Sequence, residues 1–259
     1  MTDIGMTIVS KGARAIRRAI SIPSPLAGIE YLNFFCNNPD SPDTKRNLSR
    51  NLIRGKKPGV IIGAPQLNDR SVTCHSLVDY IDSGVTQTES MTLIAIAKAP
   101  AVAAETAILS NYNSLRPDGS VSLGTGILFR QDGNTQFNNA VLKSDNTTGL
   151  VISPIAKYTA GEWAIIEARS NPALNGGNFW VTQNGARKDA SWAIPEGAHI
   201  YTGGNIMIGS LGGSLGSFNG KPSEIAAAAI FSRALSPDEI VAFRNWMLAI
   251  FQYQYGWSL

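Results

Sequence analysis

The sequence predicts an all-β protein, an antiparallel β-sandwich sealed by one C-terminal helix, and three observations carry that prediction. Beyond Gly59, short β-rich runs alternate with turn clusters, with no helical run between them until residue 237, which is the pattern of antiparallel sheets and argues against a parallel α/β fold. From Phe218 to Met247 a glycine turn, an alanine-rich strand and a capped helix follow one another without a gap. At 259 residues, 44% of them hydrophobic and 25 of them glycine, the chain can bury one large core, and sandwiches of this length are commonly single domains.

The first 27 residues read as a basic docking arm and linker. In K-G-A-R-A-I-R-R-A-I a helix would align Ala13, Ile16 and Ile20 on one side and Arg14, Arg17 and Arg18 on another. Residues 1–60 hold ten basic side chains against four acids, within a total charge of only +3. That is too little charge to mark a nucleic-acid or membrane patch, so a protein contact through Ile16, Arg17, Arg18 and Ile20 is expected. Pro23 and Pro25 break the chain, because neither can donate to a helix or a ladder.

From residue 28 the sandwich begins. Tyr31 to Cys36 reads as a strand and Asn37 to Thr44 as an irregular polar loop. Further strands are expected at Val60 to Ile62, Leu93 to Ala97, Ala107 to Leu109, Gly126 to Arg130, Ala140 to Leu142, Leu150 to Ile152, Trp163 to Ala168, Asn178 to Thr182, Ile206 to Ile208 and Ile225 to Phe231. The helix over 237–252 has the clearest start signal in the chain: Ser236 as N-cap, Pro237 in the first turn and Glu239 completing a capping box. Ile240, Phe243, Met247 and Ile250 then recur at three- and four-residue steps, so one stripe must pack on the sandwich. Cys36 and Cys74 are too few for a disulfide framework and are expected reduced and buried. The first residues lack the apolar core of a secretory signal, and no apolar run is long enough to cross a bilayer, so a soluble protein, not exported by the usual route, is expected.

The run F-N-G-K-P-S-E-I-A-A-A-A-I-F-S-R-A-L-S-P-D-E-I resembles the end of concanavalin A-like lectin/glucanase domains of the laminin G type, in which a last strand leads into R-A-L-S-x-x-E-I. Tyr80 to Thr92, continued to Lys98, resembles an early strand of that family; Gly161 to Trp163 with Phe179 to Gly185 resembles a hairpin, and Asn205 to Gly209 the strand before the final glycine loop. The segments stand in the family's order over about residues 58 to 250. The resemblance implies a jelly-roll sandwich, loop-bound calcium in some members, and sugar binding through exposed aromatic rings.

Chemical motifs fail one at a time. Gly212 to Gly216 matches the G-x-S-x-G nucleophile elbow on paper, but no helix follows directly and no histidine occurs after His199. Gly220 and Lys221 mimic the end of a P-loop, yet Leu215 stands at the first glycine position and Pro222 replaces the magnesium-binding hydroxyl. The E-x-D-x-x-E string of sandwich glucanases is absent. Glu162 and Glu167 are an odd step apart, which sends them to opposite faces of a strand. His75 and His199 have no spaced zinc partners.

What survives is a short set of binding candidates. Trp192, Tyr201 and Tyr112 are the candidate rings for a glycan, while Trp163 and Trp180 read as core. Asp132, Asn134 and Asp145, with Asn138 and Asn146, are the oxygens that a calcium ion would use; no other cofactor is expected. By elimination the expected function is a non-enzymatic virion protein: a phage tail, fibre or capsid-surface subunit. It would join other virion proteins through its arm, assemble as a homo-oligomer, with a trimer expected, and present the sandwich to host polysaccharide. No nucleic-acid partner and no membrane insertion are expected. A polysaccharide-degrading hydrolase or lyase, and a bacterial surface adhesion module, are the alternatives.

Overall fold

The computed structural model of the chain describes residues 27–36, 43–114 and 124–255, the side chains of 154–156 and 253–255 excepted. In chain order the strands are β1 (Ile29–Phe34), β2 (Val60–Ile62), β3 (Gln66–Leu67), β4 (Val72–His75), β5 (Tyr80–Thr86), β6 (Met91–Lys98), β7 (Thr106–Ser110), β8 (Thr125–Phe129), β9 (Asn134–Leu142), β10 (Thr148–Lys157), β11 (Trp163–Asn171), β12 (Gly176–Gln183), β13 (Ala186–Ala193), β14 (His199–Ile200), β15 (Asn205–Ile208) and β16 (Pro222–Phe231). Two helices accompany them, α1 (Thr44–Ser49) and α2 (Pro237–Tyr255). The expected docking residues Ile16, Arg17, Arg18 and Ile20 lie outside the described residues.

The strands form two antiparallel sheets, eight strands each among the described residues. The first runs β13-β12-β11-β6-β16-β4-β3, with β1 pairing on β16 beyond the end of β4. The second runs β10-β9-β8-β7-β15-β5-β2, with β14 on β9. Every pairing between them is antiparallel, so each strand can show one face to the core and one outward. Tyr80 to Lys98 is not one continued strand: β5 belongs to the second sheet and β6 to the first, and residues 87–90 carry the chain across the sandwich.

Three apolar clusters hold these layers. The main core lies between the sheets and includes Tyr31, Leu93, Ile108, Phe129, Phe137, Ile166, Phe179 and Ile230. A second cluster joins the outer face of the first sheet to α2: Ile94, Ile96, Ile165, Ala227, Ala229 and Phe231 meet Ile240, Phe243, Trp246, Met247, Ile250 and Phe251. Ala226 to Ala229 can be so small because β16 is covered on both faces; a register shift between Ile225 and Ala227 places Ala226 and Ala227 together in that second cluster. The third cluster is smaller and packs Leu211 and Phe218 on Ala107 and Leu128, the latter lying between the inward residues Ile127 and Phe129.

The motif R-A-L-S-x-x-E acquires a physical meaning here. The Glu239 N–H donates to Ser236 Oγ at 3.2 Å and the Ser236 N–H donates to Glu239 Oε2 at 2.7 Å, which is a capping box. Arg233 grips the same carboxylate with two nitrogens at 2.9 and 2.8 Å and donates from Nε to the Ala27 carbonyl at 2.6 Å. One arginine thus ties the approach to β1 to the start of α2. Ser236→Ala is expected to cost about 1 kcal/mol in urea-induced unfolding, the typical value of an N-cap side chain.

Several elements carry no strong local signal. The strand β13 reads A-R-K-D-A-S-W-A and is exposed over most of its length, since it is an edge of its sheet. The short α1 is capped by Asp43, whose Oδ1 accepts from the Arg46 N–H at 3.0 Å. Cys74 is buried, Cys36 half-buried, and both thiols are free.

Candidate functional site

A cleft of about 430 Å³ opens at the end of the sandwich where β4, β6 and β16 of the first sheet approach β7 of the second. Its wall on the first sheet is built by register: Glu224 pairs with Thr73 on one side and with Lys98 on the other. Lys98 Nζ lies 3.3 Å from Glu224 Oε2 and 5.8 Å from the centre of the Trp163 ring. Ser71 donates to Glu224 Oε1 at 2.8 Å, and Asn68 donates to both Ser71 Oγ and Thr73 Oγ1 at 3.0 Å. The carboxylate is therefore held in one orientation by two neighbours. The opposite lip is the apolar loop Ala99 to Ala104, in which Val102 is 80% exposed.

Two hydroxyls at this cleft are left unmatched. Thr106, at the start of β7, and Ser223, near the start of β16, both line it, are buried, and have no hydrogen-bond partner for Oγ1 and Oγ. Both oxygens are covered by protein atoms, so they lie beneath the cleft surface and are not offered to a molecule in it. Lys221 completes the lining with a second ammonium. Beside the cleft Glu105 is pushed above the usual carboxylate range by burial, against the pull of Arg130 at 2.9 Å.

Chemically, the cleft offers ammonium donors, one fixed carboxylate and an apolar lip. That is the mixture that recognises a polyol, whose faces alternate C–H and O–H groups. Hydrolysis with two carboxylates would need a second acid about 5–10 Å from Glu224.

The candidate rings are not gathered in this cleft. Trp192 is only 8% exposed and belongs to the main core, with its ring 6.2 Å from that of Phe137 and laid over Gly177, where a Cβ would come within 2.5 Å of it. Its inward position on β13 makes it a core residue, which corrects the expectation of an exposed stacking ring. Tyr112 is half-buried against the Leu128 cluster, and burial raises its hydroxyl above the usual range. Tyr201 follows β14, and its N–H donates to the Ala140 carbonyl at 2.9 Å. Trp163 and Trp180 pack at the edge of the helix-covered cluster, as expected.

The calcium candidates are likewise dispersed. Asp132 Oδ1 accepts from the Asn134 N–H and Oδ2 from the Asn134 side chain, both at 2.9 Å, within the turn before β9. Asp145 accepts from the Thr147 N–H at 2.9 Å and from its hydroxyl at 2.5 Å in the turn after β9, contacts that hold its carboxyl below the usual range. Nine residues of extended chain, about 30 Å, separate the two turns, so these oxygens do not converge. Among the described residues no group of three or more His, Cys, Asp or Glu is placed to hold a metal ion.

No protein-family profile matches the sequence, and no curated protein matches it. Solved structures do match. Trypanosoma rangeli sialidase in complex with sialic acid superposes with a TM-score of 0.56 at 11% identity, over 92% of this chain and 35% of the sialidase. A mutant of that enzyme displaying trans-sialidase activity gives 0.55 at 10% identity, over 87% and 34%. The chain spans about a third of the length of these enzymes. At such identities the likeness shows the fold alone, a β-sandwich. The expectation of a non-enzymatic virion subunit is corrected by these neighbours. They are sialidases, and nothing in the comparison supports a virus particle, a phage or a tail fibre.

The cleft residues were missed in the sequence for identifiable reasons. Lys98 read as the end of a strand, and G-K-P-S-E as a turn. The usable signal was A-P-A-V-A-A at Ala99 to Ala104, an apolar run too short for an element and placed between two strands.

Proposed function

We propose that this chain is the glycan-recognising sandwich of a carbohydrate-cleaving protein, of the concanavalin A-like, laminin G-type class, and that its terminal cleft holds the sugar. One observation carries the reading: the cleft sets the Lys98 and Lys221 ammonium groups and the fixed Glu224 carboxylate against an apolar lip. The sialidase fold likeness supports the glycosidase side of the reading.

Lys221→Ala and Glu224→Gln supply the test. Each should weaken oligosaccharide binding about 5- to 30-fold, the worth of one to two hydrogen bonds, with little change in the unfolding midpoint. Calorimetric titration of polysaccharide fragments measures the affinity, and a reducing-end assay on the same samples measures cleavage. Unchanged affinity in both variants, or no binding to any fragment, would remove the cleft from the reading.

A further inference from the structure

On the outer face of the first sheet, beside α2, a second polar cluster has no role in the cleft. Glu167 on β11 is fully buried, and neither of its oxygens has a hydrogen-bond partner. Arg187 of β13 and Arg244 of α2 face it, but only at 3.7 and 3.9 Å, beyond hydrogen-bond reach. The contacts of Arg244 Nε and Nη2 with Asn245 Oδ1 are at 3.5 Å, and its Nη1 is buried and unpartnered. Trp180, opposite Glu167 in the register, fixes the neighbourhood, with Arg187 and Arg169 at 5.2 and 5.6 Å from its ring centre. Arg169 itself is occupied, donating to Asn178 Oδ1 at 2.8 Å and to the Leu235 carbonyl at 2.6 Å.

Two guanidiniums, with side chains 34% and 15% exposed, thus lie within 4 Å of one buried carboxylate, and the contacts of each with it are long. Guanidinium donors in a fixed fork match the oxygens of a carboxylate, sulfate or phosphate group, with bonds about twice as strong as neutral ones. Glu167 supplies part of the balancing charge from below without closing on either arginine. We propose that Arg187 and Arg244 form an oxyanion-binding site at the seam between α2 and β13, separate from the terminal cleft, which takes a sulfate, phosphate or carboxylate group.

The charged groups around the seam set the response to pH. These are Glu167 and Arg169 on β11, Arg187 and Asp189 on β13, and Arg244 on α2. Burial raises the Glu167 carboxyl to about 7 against the pull of the two arginines, so it competes least with an added anion when protonated.

The test is titration of the full chain with sodium sulfate, and in parallel with sodium acetate, at constant ionic strength in chloride, at about pH 6 and pH 8, either side of the Glu167 value. Saturable binding is expected above the chloride control, tighter at the lower pH. Tighter sulfate would identify a tetrahedral ligand and tighter acetate a planar one. Arg187→Gln, on the more exposed side chain, and Arg244→Lys, which keeps the charge but loses the fork, should each weaken it about 10-fold, the worth of one charge-assisted hydrogen bond. Glu167→Gln should tighten it at pH 8 and flatten its pH dependence, a gain that a misfolded variant cannot produce. No saturable binding, equal affinity in both arginine variants and wild type, or weaker binding in Glu167→Gln would overturn the proposal.

Discussion

Replacing Trp246 by alanine is expected to lower the stability of the protein by about 3–5 kcal/mol, the range for removing a large aromatic side chain from a packed core. Trp246 is 8% exposed, and its ring sits 5.8 Å from Phe34 of β1 and 5.2 Å from Phe243 one turn earlier. Phe34 also meets Phe251 at 5.6 Å, so the three rings clamp the C-terminal half of α2 onto the first sheet. The indole N–H has no hydrogen-bond partner, so the loss is one of packing. Equilibrium unfolding in urea measures it, with Trp246→Phe as the milder control. A change under about 1 kcal/mol would show that α2 is peripheral to the cooperative unit.

A loss of about 3 kcal/mol of stability between pH 4.5 and pH 7 is expected from Glu167 alone. Its carboxyl is raised from 4.5 to about 7 by burial, with Arg244 and Arg187 pulling the other way. Below the unfolded value the carboxyl is protonated in both states and costs nothing. As pH rises from there, the unfolded chain releases its proton while the native chain keeps it, so stability falls until the native group ionises near 7; the interval between the two values converts to about 3 kcal/mol. Glu105, also raised by burial, acts in the same direction, whereas Glu239, held low by Arg233, loses its stabilisation only as the pH falls through its own lowered value. Glu167→Gln should therefore flatten most of the slope in urea unfolding across this range. A slope of wild-type steepness in the variant would assign the pH dependence to other groups.

The arginine and carboxylate pairs around α2 play different parts, and only one of them was readable in advance. Arg233, Ser236 and Glu239 lie within seven consecutive residues, and each contact among them is local. Their spacing therefore specifies the helix start directly. Glu167 meets Arg187 from a strand two positions across the sheet and Arg244 from α2. The apolar run around Glu167 marks a strand but does not report which charges would meet its carboxylate. The alternation rule placed it on the face opposite Glu162, but whether that face was open or covered depended on where α2 came to rest.

The same division runs through the whole molecule. The sequence by itself determined the all-β class, the stripe Ile240, Phe243, Met247 and Ile250, the helix cap, and strands such as β6, β11 and β16, whose apolar runs are dense enough to identify them. These are signals within one or two turns of chain, where backbone geometry alone sets the period. Only the tertiary structure decided that β13, polar in sequence, is an edge strand, that Trp192 turns inward over Gly177, and that Asp132 and Asp145 lie at opposite ends of β9. It also brought Thr73, Lys98, Thr106 and Ser223 to one cleft. Those placements follow from strand order and register, and register is chosen by the summed burial of a whole sheet face, to which no single side chain contributes enough to be read alone.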